Sequence, residues 1–232
     1  MFWEKDDTGV AYHWARELAR ELAEEQDEKT RKITGKTAFA NGVEKFARFD
    51  QRVAVRIDYW DSDPWLLGTP GGTVDLRTGE LRASAQQDGI TKSTSVAPLN
   101  QPCPRWLQFL NETTGDDREL IRFLQLWLGY CLTGVIREHD LVFVYGDGGN
   151  GKGVFLNVTT AILNDYATAA AMDTFTASHG DKHPTDLAML RGARMVTASE
   201  TEAGRAWAEA RIKSLTGGDR ISARFMRQDF FQ

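Results

Sequence analysis

The sequence predicts an α/β protein in which a mostly helical α+β N-terminal part precedes a partial phosphate-loop core with parallel strands. Three observations carry that expectation. Residues 9–49 place apolar side chains at helical spacing. Leu141–Leu156, reading LVFVYGDGGNGKGVFL, has the pattern of a buried strand, a glycine-rich loop and a helix start. Arg194–Glu200 reads as a second short buried strand ending in a carboxylate. The expected divisions are a helical segment over 1–60, a small α+β domain over 61–136 and the core over 137–232.

Taken in order, residues 9–32 read as a charged helix. Trp14, Leu18 and Leu22 recur at i, i+4 and i+8 with Ala15, Ala19 and Ala23 beside them, and Gly35 follows. A second helical stretch runs to about Phe49, with Phe39, Val43 and Phe46 on one side. Arg16, Arg20, Arg31, Lys32 and Lys36 interleave with Glu17, Glu21, Glu24 and Glu25. That is the pattern of a solvated face laced with ion pairs rather than of a DNA-binding face.

Residues 63–82 change character. Trp65–Leu67 and Thr73–Leu76 are short strands around Pro70-Gly71-Gly72, and Arg77-Thr78-Gly79 turns into Glu80-Leu81. The expectation is a small antiparallel meander with a structural role. Prolines over 98–104 mark a connector. Helices follow over 105–113 and 116–133. In the second, Leu120, Phe123, Leu124, Trp127 and Leu128 make a wide apolar stripe, Asp116 and Asp117 sit at the positive end, and Gly134 closes it. Beyond the glycine loop, 154–163 forms a helix and 168–172 a strand. Pro184 then starts a helix that carries Leu187, Met189 and Leu190 and ends at Gly192.

The chemistry concentrates in Gly146-Asp147-Gly148-Gly149-Asn150-Gly151-Lys152, which fits the G-x-x-x-x-G-K phosphate loop. Glycines let backbone N–H groups curl around phosphate oxygens where a Cβ would block the approach. Lys152 adds a point charge for the β- and γ-phosphates of ATP, and the following helix points its partial positive end at the same place. The usual Ser or Thr after the lysine is Gly153. That hydroxyl ordinarily ligates Mg²⁺, which keeps several waters in most sites, so a water in its place implies weaker Mg²⁺ binding but intact nucleotide binding.

Glu200 is the second anchor. An acid at the C-terminal tip of a strand beside the loop strand orients the attacking water and holds Mg²⁺ through water, and Glu202 is its rival. His179 and His183 stand at i, i+4 with Asp181 and Asp186 nearby. Gly180 and Pro184 break the helix that a metal pair would need, so a polar loop is expected. Residues 205–232 carry Arg205, Arg211, Lys213, Arg220, Arg224 and Arg227 against Glu209, Asp219 and Asp229, with Phe225, Phe230 and Phe231 among the arginines. Two readings stand: contact with a single-stranded DNA backbone, or an exposed helix end and a strand entering the core.

The chain has 232 residues, 41% hydrophobic and 26% charged, enough for one large or two small domains. Its net charge of -5 gives no global basic footprint, so any nucleic-acid contact must be local. Cys103 and Cys131 lie far apart in apolar sequence and read as reduced core thiols. No apolar run approaches the roughly 18 residues of a membrane span, and the N-terminus has no signal-peptide pattern, so a cytoplasmic location is expected.

Four stretches together resemble a known group: DPWLLGTPGGTVDLRTGEL, FLQLWLGYCLTG, YGDGGNGKGVFL, and ARMVTASETEAGRAWAEARIKSLTGGDRISARFMRQDFF. They are similar to the phage and plasmid primase-helicases of helicase superfamily 3, with poxvirus-type relatives. The resemblance covers residues 60–232 and implies an ATP-driven DNA helicase with an AAA+-like core, a small domain upstream of it and a hexameric ring. Gly146–Gly153 match the family's Walker A motif, with Asn150-Gly151-Lys152 similar to its own variant, and Glu200 matches the Walker B acid. Lys213, Thr216–Asp219 and Arg224 match the next motif, which is associated with DNA engagement, and Lys213, Arg220 and Arg224 are the expected DNA contacts.

The family's sensor strand and arginine finger do not occur before Gln232, and no primase site is found. A C-terminally incomplete core is therefore expected, with any priming module upstream or in another protein. The full-length form would unwind DNA at the expense of ATP. These residues alone would bind nucleotide with little turnover, because a missing finger costs about 10³ to 10⁵ in rate. A small-molecule kinase would need an acceptor pocket and an arginine-rich lid, which the sequence lacks. The remaining alternative is a truncated nucleotide-binding assembly module without turnover.

Overall fold

A computed structural model describes residues 3–24, 26–177, 185–199, 206–219 and 221–224, which divide into a helical unit, Trp3–Trp60, and a mixed α/β unit from Asp61 onward.

In the helical unit, α1 (Val10–Glu24), α2 (Glu28–Thr34) and α3 (Thr37–Arg48) pack on one another. The expected helix over 9–32 divides because Asp27 caps a new helix, its carboxylate accepting from Thr30 N at 2.7 Å. Asp6 caps α1 the same way, accepting from the N–H groups of Gly9, Val10 and Ala11. Those bonds, the one from Ala11 foremost, hold its carboxyl below the usual range. The buried face of α1 is Ala15, Ala19 and Ala23, and that of α3 is Ala40. Small side chains let the two axes approach closely. Trp14, Leu18 and Leu22, beside that face, remain exposed.

In the α/β unit, β1 (Leu66–Thr69), β2 (Gly72–Asp75) and β3 (Glu80–Arg82) form the antiparallel meander, with Leu67 opposite Val74 and Val74 opposite Leu81. Gly68 is needed for close approach, since a Cβ there would lie 2.2 Å from Lys92 O and 2.7 Å from Ile90 Cγ2. Asp88 closes the meander. It takes a bidentate contact from Arg82 at 2.7 and 2.8 Å, plus Ala85 N and Thr73 Oγ1 at 3.0 and 3.1 Å.

The Arg82 guanidinium, first among these contacts, holds the Asp88 carboxyl down to about 2, with only 7% of the side chain exposed. A depressed folded-state pKa adds stability above the unfolded value of 3.8 and loses it as pH falls toward 2. Asp88→Ala should therefore cost about 2 kcal/mol at neutral pH. Chemical unfolding at a series of pH values should show the difference from wild type shrinking between pH 4 and pH 2; a difference independent of pH would contradict the assignment.

The core joins the meander to the elements beyond it. Leu67 and Val74 meet Cys131 of α5 (Arg118–Cys131), Leu163 of α6 (Lys152–Leu163), Tyr166, and Met195 of a two-stranded parallel sheet. That sheet pairs β4 (Ala167–Ala169) with β5 (Met195–Thr197), Thr168 facing Val196. α4 (Pro104–Thr114) precedes α5, α7 (Thr185–Ala188) precedes β5, and α8 (Glu209–Thr216) follows it. In α5, Trp127 packs on the core, while Leu120 and Phe123 of the expected stripe face solvent.

Tyr166, 1% exposed, accepts from Gly68 N at 2.9 Å and donates to Lys92 O at 3.1 Å. Arg194 lies 4.4 Å over its ring and donates to Leu132 O, and to Leu66 O at 2.6 Å. One partly buried cation thus ties the root of β5 to β1 and to the end of α5.

Two sequence expectations are corrected. Leu141–Tyr145 is not a buried strand: it pairs with no strand among the described residues, and Leu141, Phe143 and Tyr145 are 55%, 62% and 82% exposed. A parallel strand is stable only with ladder partners along its edges, and the β4–β5 sheet does not reach it. Cys103 is exposed just before α4, whereas Cys131 is buried and burial pushes its thiol up to about 11. Among the described residues no helix is long and apolar enough to cross a membrane.

Candidate functional site

The glycine loop curls and hands over to α6. Gly146, Gly149 and Gly151 take φ of 143°, 76° and 85°, in the left-handed region that disfavours a side chain, and Gly151 is the N-cap of the helix. No side chain caps α6, so its first-turn N–H groups keep the partial positive charge of a helix start.

Gly151 is fixed from behind as well. A Cβ there would stand 2.4 Å from Thr113 Cγ2 and 3.1 Å from the Phe109 ring. Trp106 of the same helix, α4, stacks on Phe109 and on Phe155 of α6 with centroids 5.2 and 5.7 Å apart. The upstream helix is thereby the back wall of the loop. Sequence reasoning missed this. Trp106, Phe109 and Thr113 recur at i, i+3 and i+7, which marks a helix face, but no local rule says which element that face meets.

Lys152 folds its side chain into the loop. Nζ donates to Gly146 O at 2.7 Å, Asp147 O at 2.9 Å and Asn150 Oδ1 at 2.7 Å. Three uncharged oxygens thus hold a cation at the helix start, where a phosphate oxygen can replace them. Gly148, Gly149 and Gly153 have no atom within 4 Å of a Cβ position, so the outer side of the loop is open and a larger residue fits at 153.

The remaining candidates are less assembled. Glu200, Glu202, Arg220, His179 and His183 lie outside the described residues. Lys213, on α8, is 81% exposed and 4.0 Å from Glu209. With Leu141, Phe143, Trp207, Glu209 and Ile212 it lines an open cavity of about 360 Å³, and Phe143 meets Trp207 edge-on at 6.1 Å. α8 therefore lies beside the segment that enters the loop. Arg224 sits elsewhere, its carbonyl accepting from Thr185 Oγ1 at 3.5 Å.

Two family matches divide the chain. Residues 1–115 match the D5 N terminal like family, and residues 144–232 match a family of unknown function, DUF5906. Among curated proteins, the chain is 24% identical over 176 residues to "Putative helicase L207/L206" of Acanthamoeba polyphaga mimivirus. The alignment takes in 73% of this chain and 18% of that protein, so the chain spans under a fifth of the relative's length.

Proposed function

Because the chain belongs to the phage and plasmid primase-helicase family, we propose that it is part of an ATP-dependent DNA helicase of superfamily 3 that binds Mg-ATP at residues 146–153. The observation that carries this reading is the curled loop with Lys152 at the start of α6. The fit to a triphosphate rests on donors: a lysine ammonium and uncapped helix N–H groups converge, and the glycines leave the approach open. ATP with Mg²⁺ supplies the phosphoanhydride whose hydrolysis drives unwinding. Lys152 binds the phosphate tail, Gly151 holds its N–H in register against α4, and Glu200 orients the attacking water.

On this reading residues 61–136 are the small domain upstream of the core, residues 137–232 belong to the ATPase core, and residues 1–60 are a helical module. Lys213, Arg220 and Arg224 contact the DNA backbone, the active form is a homo-oligomeric ring in the cytoplasm, and a priming module acts with it. A second reading is favoured by the unpaired segment Leu141–Tyr145: a truncated nucleotide-binding assembly module without turnover.

Titration calorimetry with Mg-ATP tests the proposal; wild type should bind, and heats equal to dilution would refute it. Gly153→Ser should then tighten Mg-ATP roughly fivefold, because a hydroxyl ligand replaces a water for about 1 kcal/mol and the site has room for it. The gain should vanish when Mg²⁺ is chelated, and equal affinities with and without Mg²⁺ would place the metal elsewhere.

A further inference from the structure

The ammonium of Lys152 has three N–H donors, and the loop gives it three acceptors: Gly146 O, Asp147 O and Asn150 Oδ1, at 2.7, 2.9 and 2.7 Å. Its hydrogen-bonding capacity is full before any ligand arrives. A phosphate oxygen gains a bond to Nζ only by taking the place of one of the three.

The three acceptors are not equally held. Gly146 O and Asp147 O belong to the backbone, and moving either means changing dihedrals of the curled loop, where Gly146 stands at φ 143°. Asn150 Oδ1 is the tip of an exposed side chain that turns about its own χ bonds. The nitrogen of the same carboxamide lies against Gly146: a Cβ there would stand 2.5 Å from Asn150 Nδ2 and 3.7 Å from Lys152 Nζ. Amide and ammonium thus share the space that the glycine leaves at the head of the loop. Asn150 is the one contact to Nζ that can leave without disturbing the turn.

We propose that Asn150 is the gate of the loop: in the nucleotide-free protein its carboxamide oxygen occupies the place on Lys152 that a phosphate oxygen takes, and ligand entry begins with its displacement. This rests on the reading of residues 146–153 as a triphosphate site and adds to it a displaceable competitor within the chain. The competitor must be neutral to act in this way. A neutral acceptor yields to a charged phosphate oxygen, whose hydrogen bond to an ammonium is roughly twice as strong. A carboxylate at the same place would hold the ammonium as firmly as the phosphate does, and would repel the phosphate as well.

Two variants of the full chain therefore move Mg-ATP affinity in opposite directions, read by titration calorimetry. Asn150→Ala removes the competitor and should bind roughly threefold tighter than wild type. Asn150→Asp keeps the shape, adds the charge and should bind roughly tenfold weaker. A gain in the alanine variant cannot come from a damaged fold. Acetylation of Lys152 by acetic anhydride in the nucleotide-free proteins, followed by peptide mass spectrometry, reads the contact without ATP. Relative to the other lysines of each sample, it should be faster than wild type in Asn150→Ala and slower in Asn150→Asp. Weaker ATP binding by Asn150→Ala would make the carboxamide a phosphate ligand rather than a gate. That result, equal affinity in all three proteins, or equal acetylation of Lys152 would each overturn the proposal. Wild-type heats equal to dilution overturn the nucleotide reading instead, and the acetylation rates keep the two failures apart.

Discussion

Lys152→Ala is expected to remove measurable ATP binding. Nζ is the one side-chain cation within the curled loop, held by Gly146 O, Asp147 O and Asn150 Oδ1 at 2.7 to 2.9 Å. A phosphate oxygen that displaces those carbonyls exchanges neutral contacts for charge-assisted ones, each worth about 1.5 to 3 kcal/mol. Losing two such bonds weakens binding by about 3 kcal/mol or more, which is more than a hundredfold. The lysine is at the surface and the core does not include it, so the unfolding midpoint should hardly move. Calorimetry on a variant of unchanged stability separates the two effects, and unchanged affinity would exclude Lys152 from the site.

Arg194→Ala should destabilise the α/β unit by about 3 kcal/mol. The guanidinium satisfies Leu132 O and Leu66 O and covers the Tyr166 ring, and burial pushes its pKa down, with Tyr166, Asp61 and Asp63 opposing that shift. Its removal leaves two inward carbonyls unsatisfied and opens a gap beside the most buried aromatic of the core. Relief from burying a charge offsets part of that loss. Urea unfolding should show a lower midpoint with a similar slope. Arg194→Lys should recover only part of the loss, because one ammonium cannot reproduce the two-pronged contact. A loss below about 1 kcal/mol would mean that Arg194 does not tie β5 to β1.

The parts of the fold that were legible in the sequence are those that local chemistry dictates. Pro70-Gly71-Gly72 and Arg77-Thr78-Gly79 place the meander turns, Asp117 marks the start of α5, and the glycine loop leads into α6 at Lys152. What was not legible depends on partners distant in sequence. The apolar run Leu141–Tyr145 has strand composition, yet it finds no ladder among the described residues. Trp14, Leu18 and Leu22 have core periodicity, but Ala15, Ala19 and Ala23 fit the neighbouring helix more closely. The wall behind Gly151 is built by Phe109 and Thr113, some forty residues upstream, a pairing that no spacing rule encodes. The loop itself was legible because its glycine geometry and its lysine are contiguous.

Backbone amide exchange across residues 146–153, with and without Mg-ATP, tests the central claim most directly. If N–H groups of this loop and of the first turn of α6 hold the phosphates, their exchange should slow at least tenfold on addition of nucleotide, and Lys152→Ala should abolish the protection. Bound nucleotide that leaves these amides exchanging at the same rate, while slowing others, would contradict the claim.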